Sequence, residues 1–358
     1  MQFLFKTHYN DDIRFLAKTG EKVRVAIVIA LLLLAPFVLQ DYYLAELGLL
    51  LVYVIAGVGL MILTGHTGQV SFGHAGFLGI GAYCHSVLMT QGVPFTLSVI
   101  ASVTLAGLVG MAVGRSASKM HGFYLAIATL AFGILIETVF GEWASVTGGH
   151  AGLAVPGLEV FGVALNETWQ QYLLDLALAL LVVWGAANLF RSPTGRSFVA
   201  VRDSELSARS LGVNVEWVKI QAFGVSAAIT GLAGALLAHH LTYIAPDVFG
   251  VLESLKLLLM IVVGGLGSIL GAIFGAIFVS LLPIALSFLK DVLPPAIGQQ
   301  AGIEPGLFGL IIVLVLVFEP LGINGRWQKL RYYFETFPYY RKSSFVRQKA
   351  YLKTERMR

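Results

Sequence analysis

The residues best equipped for chemistry lie in one stretch, Leu63-Thr-Gly-His-Thr-Gly-Gln-Val-Ser-Phe-Gly-His-Ala-Gly-Phe-Leu-Gly-Ile-Gly-Ala-Tyr83. Thr67, Gln69, Ser71 and His74 offer neutral hydrogen-bonding groups, with Gly68 and Gly73 set among them. That combination suits weak, permissive contact with a small polar solute and supplies no fixed counter-ion for a carboxylate. Ser71 and His74 have the residue types of a nucleophile and its base, but nothing beside them preorganises an oxyanion site. His66 and His74 are too far apart in sequence, and His239 and His240 too close, to form a compact ligand set such as His-Glu-x-x-His. No metal site and no catalytic residue is therefore expected. The glycines at 76–81 and 264–271 are not followed by the Gly-Lys-Ser/Thr that holds phosphate and magnesium. The chain is expected to bind no cofactor and to hydrolyse no ATP itself.

The elements that must position these groups are membrane helices. The chain is 57% hydrophobic and only 12% charged, against about 25% charge in a soluble domain. A span needs about 20 mostly apolar residues. Candidate spans run near 23–40, 44–63, 74–91, 96–114, 123–141, 171–190, 219–241, 252–266, 268–289 and 305–322. The expected fold is an all-α, polytopic helical bundle with Gly-rich breaks. Residues 1–22 form an N-terminal segment, 23–322 the membrane domain and 323–358 a basic tail. One of the helices flanking 264–271 could be re-entrant. The first residues are polar and the run after them is long, so no cleavable leader is expected. The single cysteine, Cys84, excludes an intrachain disulfide.

Charge checks the count. With the N-terminus inside, Lys6, Arg14, Lys18, Lys22 and Arg24 face the interior, as do Arg115 and Lys119, the loop 191–219 and the whole tail. The outer segments hold only Lys290. This positive-inside bias places both termini in the cytoplasm. The tail from 326 onward carries only Glu335 and Glu355 as carboxylates and is expected to lie on anionic headgroups. The outer segment 142–170 has carboxylates and no Lys or Arg, which suits a lip that receives a partner.

Within the spans, Glu137 is the one acid that offers itself, either facing a path or sitting at the outer interface. Lys256 either snorkels or pairs with Glu253. His239 and His240 are expected at the outer end of a span, where an interfacial histidine carries little penalty. In the loop 191–219, residues 203–211 read as a short helix. Asp203 or Ser204 can cap it, and Gly212 stands where a helix ends. A partly apolar helix shown to the cytoplasm can seat in a groove of another protein.

Five blocks taken together resemble the permease family of bacterial high-affinity branched-chain amino acid ABC importers, in its LivM-type branch. They are 64–83; His121-Gly-Phe-Tyr-Leu-Ala-Ile-Ala-Thr-Leu-Ala-Phe-Gly133; Thr147-Gly-Gly-His-Ala-Gly-Leu153; 192–223; and Ile261-Val-Val-Gly-Gly-Leu-Gly-Ser-Ile-Leu-Gly-Ala-Ile-Phe-Gly-Ala276. The resemblance covers about 41–322 and implies a type II ABC importer-like fold in the bacterial inner membrane. It implies a related second permease, two cytoplasmic ATP-binding subunits that carry ATP and magnesium, and a periplasmic substrate-binding protein. No nucleic acid is implied.

Residues 203–212 resemble the coupling loop of such permeases. Glu205, Ala208 and Gly212 match its pattern, and Ser207 replaces a second alanine. The coupling candidates are Arg202, Asp203, Glu205, Ala208, Leu211 and Gly212. The path candidates are Gly68, Gln69, Ser71, Gly73, His74, Glu137, Gly264, Gly265 and Gly267. Branched-chain or hydrophobic amino acids are the default cargo; relatives carry urea, amides or aromatic carboxylates. Two other classes compete. An ion-gradient-driven secondary transporter would need more intramembrane acids, and an intramembrane protease or acyltransferase would need a catalytic pair at depth.

Overall fold

The computed structural model describes residues 19–292 except 121 and 161, and beyond them 309, 310, 313, 314, 317 and 322–336. The N-terminal segment before 19, most of the span expected at 305–322 and the tail after 336 lie outside the described residues. The helices are α1 (Thr19–Val38), α2 (Asp41–Met61), α3 (His74–Thr90), α4 (Phe95–Ala117), α5 (Phe123–Glu142), the short α6 (Ala144–Thr147), α7 (Thr168–Arg191), α8 (Pro193–Asp203), α9 (Glu205–Ser210), α10 (Val215–Leu241), α11 (Val251–Gly264), α12 (Ile269–Val292) and α13 (Gly322–Thr336). Four two-residue strands add β1 (Leu153–Ala154) paired with β4 (Tyr243–Ile244), and β2 (Glu159–Val160) paired with β3 (Val163–Ala164), all antiparallel. The expected all-α bundle is present, and the strands only tie loops together.

α10 is the axis of the bundle. Its 27 residues make a helix about 40 Å long, capped at its start by Asn214, which accepts from the Trp217 N–H at 3.1 Å. α2 and α10 form the interior: 78% of the apolar window of each is buried, against 28–33% for α4, α5 and α7. The outer helices thus turn broad apolar faces outward, as lipid-facing helices do. Among the described residues, five helices are long and apolar enough to cross a membrane.

Small residues let the backbones close on α10. On α4, Gly107, Gly110 and Gly114 recur on one face and lie against Ala228, Ala227 and Phe223 of α10. Gly81 of α3 faces Gly231 of α10, backbone to backbone. In lipid, where apolar burial drives little association, such close approach supplies the packing.

Backbone groups freed inside the bundle find partners. Pro36 has no N–H to give the carbonyl four residues earlier, and the Tyr172 hydroxyl donates to that Leu32 carbonyl at 2.9 Å. α7 begins with a capping box formed by Glu167 and Gln170. The 14 residues of α11 span only about 21 Å, shorter than the hydrocarbon core of about 30 Å. α11 and α12 form a hairpin around the turn at 265–268, with Gly264 against the Gly271 carbonyl.

The loops sort into two ends. β1 and β4 join 142–170 to 242–250 at one end. At the other, contacts join 62–73, Ser118, 192–219, 265–268 and 322–324. These groupings match the two sides assigned from charge.

Candidate functional site

The two glycine-rich breaks meet. α2 does not stop at Met61 but widens into a π-helical turn, Ile62–His66, a distortion frequent at functional sites. The chain then folds back on itself. Thr67 Oγ1 donates to the Leu63 carbonyl at 2.5 Å, Gln69 Nε2 to Thr67 Oγ1 at 3.1 Å, and Thr64 Oγ1 to the Gln69 carbonyl at 3.1 Å. Gly68 takes φ +71° to make this turn. The second break turns at Gly265 (φ +119°) and Gly267 (φ +79°), and Ser268 Oγ accepts from the Gly271 N–H at 2.9 Å at the start of α12. A Cβ on Gly65 would lie 2.5 Å from the Gly267 nitrogen. Only glycine allows the two backbones this approach.

Arg202, at the end of α8, reaches this junction. Its Nη1 donates to the Gly65 carbonyl at 3.1 Å, and its stem lies against Gly68. Asp203 holds the same guanidinium at 2.9 Å and 3.1 Å. His66 is buried with its ring stacked on Phe190 at 3.7 Å and 4°. One side chain thus connects the short helices of the basic loop to both breaks.

That loop folds as two helices rather than the single one read over 203–211. The signal passed over is Ser192 before Pro193. Ser192 caps α8 by accepting from the Gly195 N–H at 3.2 Å, with Pro193 in the first turn. Ser204, not Asp203, caps α9, accepting from the Ser207 N–H at 3.2 Å. Gly212 (φ +84°) ends it, with Gly212 N–H to the Arg209 carbonyl and Val213 N–H to the Ala208 carbonyl, both 3.0 Å.

The coupling candidates divide into two faces. Ala208 is buried, and Glu205 Oε1 lies 2.7 Å from Lys219 Nζ, which also donates to the Ser118 carbonyl at 3.3 Å. These residues fasten α9 to α10 and to the end of α4. Leu206 and Leu211 point away, each 82% exposed. α9 thus ties Glu205 to the body of the protein and leaves Leu206, Arg209 and Leu211 exposed.

The path candidates are dispersed. Gln69, Ser71 and His74 are all buried. His74 Nε2 bonds Thr230 Oγ1 at 2.8 Å and Ser226 Oγ at 3.3 Å, both on α10. Ser71 Oγ, Gln69 Oε1 and His74 Nδ1 have no hydrogen-bond partner among the described residues. The chain between them is tied down by Phe72 N–H to Thr129 Oγ1 at 3.1 Å and by Ala75 N–H to Ser254 Oγ at 3.0 Å. Gly73 presses on Thr129 and Gly133 of α5. Gly264, Gly265 and Gly267 form the second break.

Glu137 is elsewhere. Its half-buried carboxylate lies beside Gly250, the residue that starts α11 at the opposite end. A carboxylate there complements the helix dipole, an interaction of about 0.3–1 kcal/mol. Glu137→Gln is expected to lower uptake less than about fivefold, matching the loss of that interaction. Uptake by membranes carrying equal amounts of the variant checks it, and complete loss would show a role in the path.

Two polar networks escape the sequence reading. His239 and His240 lie in the last turn of α10, at the end of the helix as expected, but they are not open to water. Both side chains are largely buried because one turn of α10 directs them to different neighbours. His240 Nε2 meets Asp175 Oδ2 of α7 at 2.7 Å, and His239 Nε2 meets His85 Nε2 of α3 at 2.7 Å. Asp175 is a second acid within an apolar span, in addition to Glu137; its side chain is 1% exposed, and its position in that span was the available signal. Lys256 pairs with Glu253 at 3.4 Å, one of its two expected arrangements, and donates to Tyr53 Oη at 2.6 Å. Among the described residues no group of three or more His, Cys, Asp or Glu side chains could hold a metal.

The family described as "Branched-chain amino acid transport system / permease component" matches residues 42–318. The high-affinity branched-chain amino acid transport system permease protein LivM of Escherichia coli is 29% identical, over 83% of this chain and 74% of its own. A probable branched-chain amino acid transport permease LivM of Methanocaldococcus jannaschii is 23% identical, over 63% and 68%. The autoinducer 2 import system permease LsrC of Salmonella typhimurium is 26% identical, over 86% and 87%. No solved structure matches the chain. A matched region that takes in both breaks, Arg202 and α9 makes this chain a member of the family of branched-chain amino acid transport permeases.

Proposed function

We propose that the chain forms half of the translocation path of an ATP-driven importer for branched-chain or other hydrophobic amino acids. It does so in a bacterial inner membrane, beside a related second permease and with both termini cytoplasmic. The observation that carries the reading is Arg202, in the last turn of α8 and three residues before α9, which donates to the Gly65 carbonyl of the first glycine break and lies beside Gly267 of the second. In this reading α9 seats in a groove of a cytoplasmic ATP-binding subunit, which holds the ATP and magnesium. Closure of two such subunits moves α8 and α9, Arg202 carries the movement to the Gly65–Gly267 junction, and the membrane halves rock. The path breaks no covalent bond in its cargo, so the chain needs no nucleophile. The loops around β1 and β4 would receive the periplasmic binding protein.

The buried, unpartnered atoms of Gln69, Ser71 and His74 favour a second reading of the cargo alone. Neutral hydrogen-bonding groups would also pass small polar solutes unrelated to amino acids, and one similar permease is named for autoinducer 2 import.

The test is reconstitution with the partner subunits, with ATP-dependent leucine uptake measured beside the double variant Leu206→Asp/Leu211→Asp. Each leucine buried on docking contributes about 1.5–3 kcal/mol. The double variant is expected to bind the ATP-binding subunit about a hundredfold more weakly and to lose uptake. Because both side chains are exposed, its melting is expected to change by under about 0.5 kcal/mol. Unaltered subunit binding would overturn the coupling role of α9. Uptake of other solutes but not leucine would favour the second reading of the cargo.

A further inference from the structure

The first turn of α13 sits on the second glycine break. Gly322 (φ +68°) packs against the Gly265 nitrogen and the Val263 carbonyl, so closely that a Cβ there would stand 2.6 Å and 2.7 Å from them. Asn324, buried, donates from Nδ2 to Ser268 Oγ at 2.8 Å. The same break touches Gly65 and Arg202 on its other side through Gly267. α13 is therefore joined to the junction that the coupling loop also reaches.

Beyond this turn α13 is largely exposed, with the Trp327 ring also meeting Phe274 of α12 edge-on at 6.0 Å. Trp327, Leu330 and Tyr333, spaced three apart, are 47%, 50% and 43% exposed. Arg326 and Lys329 fall in the same sector of the helix and are exposed. Apolar and aromatic groups flanked by cations are the pattern of a helix lying in an interface. Sequence beyond it adds cations from Arg341 to Arg358 with Glu355 as the one acid. The surface that complements this charge is an anionic bilayer leaflet.

We propose that α13 is a lipid-responsive arm. Its outer face docks on anionic headgroups, and docking presses Gly322 and Asn324 onto the 264–271 break and steadies it. Neutral lipid would leave the break looser, so that membrane charge would set how firmly the junction holds.

The test uses the full chain in nanodiscs of phosphatidylcholine alone, or of phosphatidylcholine and phosphatidylglycerol in equal parts. Cys84→Ala with Leu330→Cys carries an environment-sensitive fluorophore, and hydrogen exchange is followed at the 264–271 amides. With phosphatidylglycerol the label is expected to move to an apolar environment and exchange at 264–271 to slow. Lys329→Gln should reduce the docked fraction about fivefold. Asn324→Ala should keep the shift of the label but lose the slowing of exchange. Equal label emission in both discs, or exchange indifferent to lipid, would overturn the proposal. So would a label that shifts only when the ATP-binding subunit is added, since the face would then belong to a protein. Neither readout requires transport, so failure of the importer reading would remain distinguishable.

Discussion

Lys219→Met is expected to release α9 from the body of the protein while leaving the membrane helices packed. Lys219 is 2% exposed, and its ammonium is shared between Glu205 Oε1 at 2.7 Å and the Ser118 carbonyl at 3.3 Å. Removing one member of a buried pair costs about 3–5 kcal/mol. Glu205 keeps 34% of its side-chain surface, so water recovers part of its solvation and the low end applies. About 3 kcal/mol corresponds to about a hundredfold in the docked population of α9. Hydrogen exchange over 204–212 should accelerate accordingly, and ATP-driven uptake should fall by on the order of tenfold or more. The double variant Lys219→Met/Glu205→Leu replaces the pair by apolar groups and should recover much of the protection. A double variant no better than the single would refute the argument that the pair is what anchors the helix.

Gly65→Val is the second large expectation, and it acts on the junction rather than on its handle. The new Cβ would stand 2.5 Å from the Gly267 nitrogen and 2.9 Å from its Cα. Both are backbone atoms, which cannot rotate aside as a side-chain tip can. Overpacking of this kind costs about 1–3 kcal/mol, and relief must separate the two breaks. Separation would also pull the Gly65 carbonyl from Arg202 Nη1. The expected result is a protein that still inserts, melts several degrees lower and transports at a small fraction of the normal rate. Gly185→Ala is the control. Nothing lies within 4 Å of its added Cβ on α7, and alanine in an open helical site stabilises by about 0.4–1 kcal/mol. Normal uptake by Gly65→Val would show that the breaks need not touch for function.

Much of the architecture was readable from hydrophobic run length and charge. Runs near 20 residues marked the helices, and the side assigned to each basic loop agrees with which loops meet. Gly212 was recognisable as a helix end because few residues accept φ +84°. The short α11 is a different case: its start was read at 252 and lies at 251, but the apolar run could not say that the helix stops after 14 residues. A Pro-Asp-Val-Phe turn in 3-10 form precedes it.

The polar pairs were not readable. Glu205 and Lys219 lie within the same basic loop, where both read as solvated charges, and only the docking of α9 across the start of α10 buries the lysine. Asp175 and His240, 65 positions apart, each read as a local oddity until α7 packs beside α10. Likewise Gly65 and Gly267 are glycines of two separate motifs in the sequence.

The sequence by itself determined the solvent, the helices, the grouping of the loops at two ends and the presence of two glycine-rich breaks. Each of these depends on local composition acting against lipid or water, a property that a window of about 20 residues carries. The tertiary structure alone decided that the breaks touch, that Arg202 bridges them to the basic loop, and which face of α9 looks outward. Those outcomes depend on distances between segments far apart in the chain. Helix packing settles such distances, and no local window contains them.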